Sequence, residues 1–264
     1  SGIWGLHVRR IIRRNNEVQN WSMIPLKNNG HVFSFGEMHG MDDLPKPRGI
    51  EFLPYVMGKY KREPEIQGSP YQKGHLWDGN AGLDAKFAIS DFTLDLTINP
   101  DYGQVELDPS VMNLTAYETF YEEKRPFFLE GKHILDFTNG SDMMFYTRRI
   151  GAPPSYSPQG IDQENSFAGS VQNVPIIGAL KLTGTNRRGL TLGAVQSLTA
   201  RSSVDVTRNG VENPEVVEPL TNYTVARVQK NWKGNTLLGG MLTSVNRNLN
   251  KPHLEDFMIN NAFT

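Results

Sequence analysis

The sequence predicts an all-β protein: an antiparallel outer-membrane-type β-barrel, present as its N-terminal portion, with an irregular plug-like insert. Three observations predict it. Apolar residues recur at every second position, the period of a strand with one apolar and one polar face. The segments so defined approach the length of about 9–11 residues that a tilted strand needs to cross a bilayer. Their connections alternate between short turns and longer polar stretches, the pattern of barrel rims.

The first candidate strand sets Trp4, Leu6, Val8 and Ile12 against His7, Arg9 and Arg13, so its polar face is cationic. Between Leu83 and Asn99 the alternation is cleaner. Leu83, Ala85, Phe87 and Ile89 precede Ser90-Asp91, and Phe92, Leu94, Leu96 and Ile98 follow it, a hairpin whose polar face carries Asp84, Lys86, Thr93, Asp95 and Thr97. Two further hairpins are read from Ile176–Thr185 turning into Leu190–Thr199, and from Tyr223–Trp232 turning into Thr236–Val245. Leu192-Gly193-Ala194-Val195 and Leu238-Gly239-Gly240-Met241 are glycine-rich, which weakens a small soluble sheet but is common in barrel walls. Ser202 to Leu220 reads as a long polar loop, and Leu254 to Thr264 as a further strand-like run. A soluble β-sandwich also has two-faced strands, and it is the alternative fold.

From Asn99 to about Pro175 the alternation stops. Asn99-Pro100-Asp101-Tyr102-Gly103, a short helix around Leu114 to Tyr121 and a loop rich in Pro, Ser and Gln from Gly151 to Val174 make a segment too polar to cross lipid. The organisation read is therefore residues 1–99 as first barrel strands, 100–175 as a lumenal or mouth-capping insert, and 176–264 as further hairpins. The set is incomplete, so partner strands from missing C-terminal sequence or from another chain are expected.

Composition excludes several classes. Lys and Arg number 27 against 28 Asp and Glu, which supplies no basic field for nucleic acid. The absence of cysteine removes disulfide scaffolds, thiolate zinc sites and cysteine nucleophiles. No Gly-x-Ser-x-Gly elbow, phosphate-cradling loop or dinucleotide fingerprint occurs, and no cofactor is expected. Four Asn-x-Ser/Thr sequons, at Asn20, Asn113, Asn139 and Asn222, are of the kind that Asn-rich sequences produce by chance. His31, Glu37, His39 and Asp42 lie close in sequence but lack metal-ligand spacing, so a solvated turn is the better reading and no metal site is assigned.

The insert and its flanks concentrate charge. Asp95, Asp101, Glu106 and Asp108 precede Lys124, Arg125, Arg148 and Arg149. They are candidate ligand- or lumen-lining residues, the arginines offering forked hydrogen bonds to an anionic or hydroxyl-rich solute. The competing reading, favoured on residue types alone, is a salt-bridge network that holds the insert within the wall, with Asp95 the expected fixed partner of Lys124 and Arg125 and with Phe127 and Phe128 packed on the inner wall. Glu106 and Asp108, two apart on one strand face, could form a glycosidase carboxylate pair. No catalytic residue is assigned.

The run from Leu94 to Pro109 (LDLTINPDYGQVELDP), Asn113 to Phe120 (NLTAYETF), Glu123 to Gly131 (EKRPFFLEG) and Phe145 to Gly151 (FYTRRIG) are distinctive. On these motifs the chain resembles an uncharacterised family of bacterial envelope proteins. In that family a domain similar to family-9 carbohydrate-binding modules commonly precedes an outer-membrane-type β-barrel, and some members are labelled membrane-associated hydrolases. The resemblance implies a bacterial outer-membrane location, membrane lipid and glycans as partners, and uptake or export of glycans or other solutes. The alternatives are a surface glycan hydrolase and a soluble carbohydrate-binding sandwich.

Overall fold

The computed structural model describes residues 4–23, 35–40, 49–62, 64, 69–71, 74–100, 120–139, 142–161, 166–186, 188–232 and 236–264. The chain divides into two units, Ser1–Arg48 and Gly49–Thr264.

The first unit holds β1 (Trp4–Leu6), β2 (Arg9–Ile12), β3 (Glu17–Asn20) and β4 (Gly36–Met38). β1 pairs with β4, and β2 with β3 through a turn that ends on Asn16 in the left-handed region at φ 52°. The opening segment is thus two short strands in two small ribbons, and not one long wall strand. The break falls at His7-Val8, where the His7 ring stacks on Phe35 at 5.2 Å and its Nδ1 lies 2.8 Å from Ser22 Oγ.

The second unit contains, in chain order, β5 (Ile50–Arg62), β6 (His75–Ile89), β7 (Phe92–Ile98), α1 (Pro126–Leu129), α2 (Lys132–Leu135), β8 (Thr138–Asn139), β9 (Asp142–Met143) and β10 (Phe167–Ala168). β11 (Ile176–Thr185), β12 (Leu190–Thr199), β13 (Ser202–Arg208), β14 (Val211–Glu218), β15 (Thr221–Trp232), β16 (Thr236–Arg247), α3 (Pro252–Glu255) and β17 (Asn261–Phe263) complete it. Eight strands form one antiparallel sheet in the order β5-β6-β7-β11-β12-β15-β16-β17. It is a meander: each strand lies beside the next one that belongs to the sheet. Among the described residues no pairing joins β5 to β17, so the sheet is open.

The register makes both faces explicit. One rung runs Ile50–Phe87–Leu94–Leu182–Ala194–Ala226–Leu242, apolar across seven strands. The adjacent rung, which alternation sends to the opposite face, runs Glu51–Lys86–Asp95–Lys181–Val195–Val225–Thr243. The polar face is the covered one. Asp95, Thr97, Lys181, Thr183, Ser197 and Thr199 are buried, whereas Phe52, Val56, Leu238 and Leu242 on the apolar face are 62%, 86%, 67% and 54% exposed.

What covers the polar face is the segment after β7. Phe128 and Leu135 of the two short helices and Ile150 pack against Ile176, Val195 and Val225 of the sheet. Gly193 allows the close approach: a Cβ there would stand 2.8 Å from Ile134 Cγ2 and 2.9 Å from Leu135 Cδ2. Gly131, in the left-handed region at φ 68°, turns α1 into α2 directly over Thr183. A second cluster lies away from this contact, where β10, β13 and β14 form a three-stranded sheet whose Val204, Val206 and Val217 pack on Tyr156, Leu254 and Met258.

Two sequence expectations are corrected here. Ser202 to Leu220 is a hairpin and not a loop. Val204 and Val206 alternate inward between Ser203 and Asp205, a strand signal that the surrounding Asp and Glu residues obscured. Leu254 to Thr264 is a helical turn followed by a three-residue strand, because Pro252 at the start of α3 favours a turn and Leu254 anchors it in the second cluster. β5, which the sequence reading did not single out, contains Pro54 and Gly58; it is an edge strand in the described sheet, the position where proline is tolerated. The helix expected around Leu114 to Tyr121 lies almost wholly outside the described residues.

The Gly193 contact predicts an asymmetry between glycines. Gly193→Ala must displace α2 or bend β12 and is expected to cost about 1–3 kcal/mol, read as faster protease cleavage within 120–161. Gly240→Ala, whose Cβ would meet nothing within 4 Å, should leave cleavage unchanged.

Candidate functional site

The charged rung and the insert meet in one site. Asp95 of β7 lies between Lys86 and Lys181 in the register, so its two cross-strand neighbours both carry the opposite charge. The Lys181 Nζ is 3.2 Å from Asp95 Oδ2, with 1% and 8% of the two side chains exposed. It also donates to the Phe127 and Glu130 carbonyl oxygens and lies 4.8 Å from the centre of the Phe127 ring. Those carbonyls belong to the end of α1, which has no further helical turn to satisfy them. Lys86 donates to both oxygens of Glu130 at 2.7 Å, closing the same helix end onto β6.

The second helix is held in the same manner. Arg227 of β15 donates to the Ile134 oxygen at 2.8 Å and to the Asp136 oxygen, and stacks over Phe137 at 5.5 Å. Cations on the sheet therefore take the exposed carbonyl ends of both short helices.

Within the insert, Arg125 forms a fork with Glu123, Nε to Oε1 at 2.8 Å and Nη2 to Oε2 at 2.7 Å. Its remaining donors reach the Ile150 and Thr147 carbonyl oxygens, and its guanidinium lies 4.3 Å from the Phe128 ring centre. Burial pushes the Glu123 carboxyl up, but the hydrogen bonds and charge of Arg125, with a hydrogen bond from Thr147, outweigh it and hold the group below its ordinary value of 4.5.

A cavity of about 210 Å³ opens beside this network, between α1 and the polar faces of β5, β6, β7 and β11. Glu51, Asp84, Lys86, Asp95, Glu130 and Lys181 supply its polar lining, and Leu53, Pro126 and Phe127 much of the remainder. Asp84 accepts a hydrogen bond from Thr97 Oγ1 at 2.6 Å.

Of the residues the sequence singled out, Asp95 faces the insert as expected, but its ion-pair partner is Lys181 on the neighbouring strand. Arg125 closes on Glu123. The Lys124 backbone N–H donates to Glu123 Oε1, and Arg148 donates to the Glu122 carbonyl oxygen at 2.6 and 3.0 Å. Arg149 is exposed in the turn Thr147–Arg149. Asp101, Glu106 and Asp108 lie outside the described residues, as do His31 and Asp42; Glu37 and His39 form an exposed pair at 3.4 Å. Among the described residues no group of three potential metal ligands occurs.

Sequence reasoning missed Lys86, Glu130, Lys181 and Arg227 as site residues. Their signal was present, since each strand cation sits at a polar-face position of an alternating strand, but which charges meet depends on strand order and register.

Residues 46–253 match the family model described as "Domain of unknown function (DUF5916)". No curated protein and no solved structure matches the chain.

The Glu123–Arg125 fork sets a pH dependence. A carboxyl whose folded pKa is lowered contributes stability that is complete above its ordinary value and is lost as pH falls through the lowered folded value. Glu123→Gln should cost about 3 kcal/mol near neutral pH, the lower end for breaking a buried pair, because Arg125 keeps its two carbonyl acceptors. The difference between the parent protein and the variant should narrow below about pH 4.5 in thermal melts. A difference independent of pH would show that the fork does not set the titration.

Proposed function

This chain belongs to the DUF5916 family, and from that premise we propose that its eight-stranded sheet is part of the wall of a bacterial outer-membrane β-barrel, through which hydrophilic solutes pass. The single observation that carries this reading is the inversion of the sheet. Its polar face is buried under the insert at Asp95, Thr97, Lys181 and Thr183, and its largely apolar opposite face is open, the reverse of a sheet that packs a water-soluble core. In lipid the open face is satisfied and the polar face becomes the lumenal one.

Strand stagger supports the same reading. Relative to the Glu51–Thr243 rung, the midpoints of the β6–β7, β11–β12 and β15–β16 connections lie about 4.5, 7 and 9 residues away, a climb of about one residue per strand. With about 3.4 Å per residue and 4.8 Å between strands, a level rim then requires strands tilted by about 35–40°, within the range of closed barrels. The apolar band climbs in the same direction. On β5 and β6 it extends down to the Tyr60–Trp77 pair, whereas on β12, β15 and β16 the lower positions of that face are Gln196, Thr224 and Ser244. Tyr60 and Trp77 at one end and Trp232 at the other suit the two interfacial girdles.

Connection lengths suggest the orientation. On one rim the strands are joined by few residues, two between Ile89 and Phe92, four between Thr185 and Leu190 and three between Trp232 and Thr236, and the opposite rim carries the insert, the β13–β14 hairpin and α3. Barrels keep short turns on the periplasmic side, so the elaborated rim is assigned to the exterior. No helix among the described residues is long and apolar enough to cross a membrane. The hydrolase reading rests on Glu106 and Asp108, and no observation favours it.

Leu94 and Thr93 test the wall. Leu94→Arg in the full-length protein should prevent assembly, since a cation near the midplane costs about 2–4 kcal/mol, and Thr93→Arg should assemble with normal heat-modifiable mobility. Equal behaviour of the two, or a parent protein that stays monodisperse without detergent, would contradict the barrel. An epitope inserted at Asn209-Gly210 should be labelled on intact cells, and one in 233–235 only after the outer membrane is permeabilised. The reverse pattern would overturn the orientation.

A further inference from the structure

We propose that Arg62 and His75 form a binding site for the phosphate group of an outer-leaflet lipid, at the exterior rim of the wall. The inference rests on the barrel reading and adds to it a specific lipid contact. β5 pairs with β6 over its whole length, so the outward face of this ribbon can be followed rung by rung. From the short-turn end the rungs Ile50–Phe87 to Gly58–Gly79 are apolar, the next is Tyr60–Trp77 and the last is Arg62–His75. No Asp, Glu, Lys or further Arg or His occurs on that face of the ribbon. The order is therefore apolar, aromatic and basic, the sequence in which a bilayer passes from hydrocarbon through its interface to its headgroups.

Depth supplies the independent observation. At about 3.4 Å per residue and a tilt of 35–40°, Ile50 and Tyr60 stand about 27 Å apart along the membrane normal. The apolar band of such barrels is about 25 Å tall, so the Tyr60–Trp77 rung falls at its outer edge. Arg62 and His75 are two residues further along their strands, about 5 Å beyond that edge. A headgroup layer is about 5–7 Å deep, and its phosphates lie within it.

The side chains suit that position. The Tyr60 and Trp77 rings are in contact, 4.6 Å between centres, and both are exposed. Arg62 and His75 are also exposed, and neither has a hydrogen-bond or ion-pair partner among the described residues. A guanidinium with unused donors is complementary to phosphate, which accepts a forked pair, and the imidazole adds a ring N–H. Free phosphate would gain those bonds alone. A lipid gains them together with apolar contact along Val56, Tyr60 and Trp77, so the lipid is the ligand that uses the whole face.

Diphosphoryl lipid A, an acylated and phosphorylated glucosamine disaccharide, is the probe, with inorganic phosphate as the comparison. Native mass spectrometry of the full-length protein in detergent should show saturable lipid A binding that a large excess of inorganic phosphate does not displace. Arg62→Gln/His75→Gln should weaken the first lipid A equivalent about tenfold or more while keeping heat-modifiable mobility. Lys59→Gln, on the opposite face of the same strand, should leave that affinity unchanged. Unchanged affinity in the assembled double variant, an equal loss in Lys59→Gln, or displacement by inorganic phosphate would overturn the proposal and leave the barrel standing. A parent protein that shows no heat-modifiable mobility and stays monodisperse without detergent would overturn both.

Discussion

A lysine with 1% of its side chain exposed must find its counter-charge and acceptors inside the protein, and Lys181 finds them only where β7, β11 and α1 meet. Asp95 comes from the strand on one side, and the Phe127 and Glu130 carbonyls come from the helix lying above. The rest of the second unit is arranged by that requirement. The insert must return to the sheet at this rung, Lys86 and Arg227 fasten its two helix ends on either side, and Gly193 leaves room for the second helix to settle. Arg125 performs the same service one layer up, tying the start of α1 to the Thr147–Ile150 turn.

Placing those charges beneath the insert sends every alternate residue to the other side. That is a consequence of pleating, not an additional design. If Glu51, Lys86, Asp95 and Lys181 face the insert, then Ile50, Phe87, Leu94 and Leu182 face away from it, and nothing among the described residues covers them. A water-soluble sheet resolves this with a second apolar layer, and a membrane resolves it with lipid. The barrel proposed above takes the second route, and the stagger of the connections matches the strand tilt that it needs.

Much of this was legible in the sequence because period two is a local signal. The Leu83–Ile98, Ile176–Thr199 and Tyr223–Val245 hairpins, the polar face containing Asp95, and the inward packing of Phe128 all follow from residues within a few positions of one another. Three kinds of feature were not legible. Strand order decides that Asp95 meets Lys181 and not Lys124, and no local pattern encodes a partner 86 positions away. Charge density hid the β13–β14 hairpin, whose Val204 and Val206 alternation is short and surrounded by acidic residues. The opening strand has the wall's pattern but is spent on ribbons with β4 and β3, a pairing that exposed apolar residues such as Trp4 and Ile11 do not announce.

The central claim is that the face bearing Leu94 borders lipid and the face bearing Asp95 borders a polar interior. Spin labels placed singly at Phe92, Thr93, Leu94, Leu96, Thr97 and Ile98 in the full-length protein, reconstituted in bilayers, address it directly. Collision with dissolved oxygen, which concentrates in lipid, should be high at Phe92, Leu94, Leu96 and Ile98 and low at Thr93 and Thr97. Collision with a water-soluble nickel chelate should be low at Leu94 and Leu96. Oxygen accessibility without a period of two along β7, or chelate access at Leu94 equal to that of an exposed loop, would contradict the account.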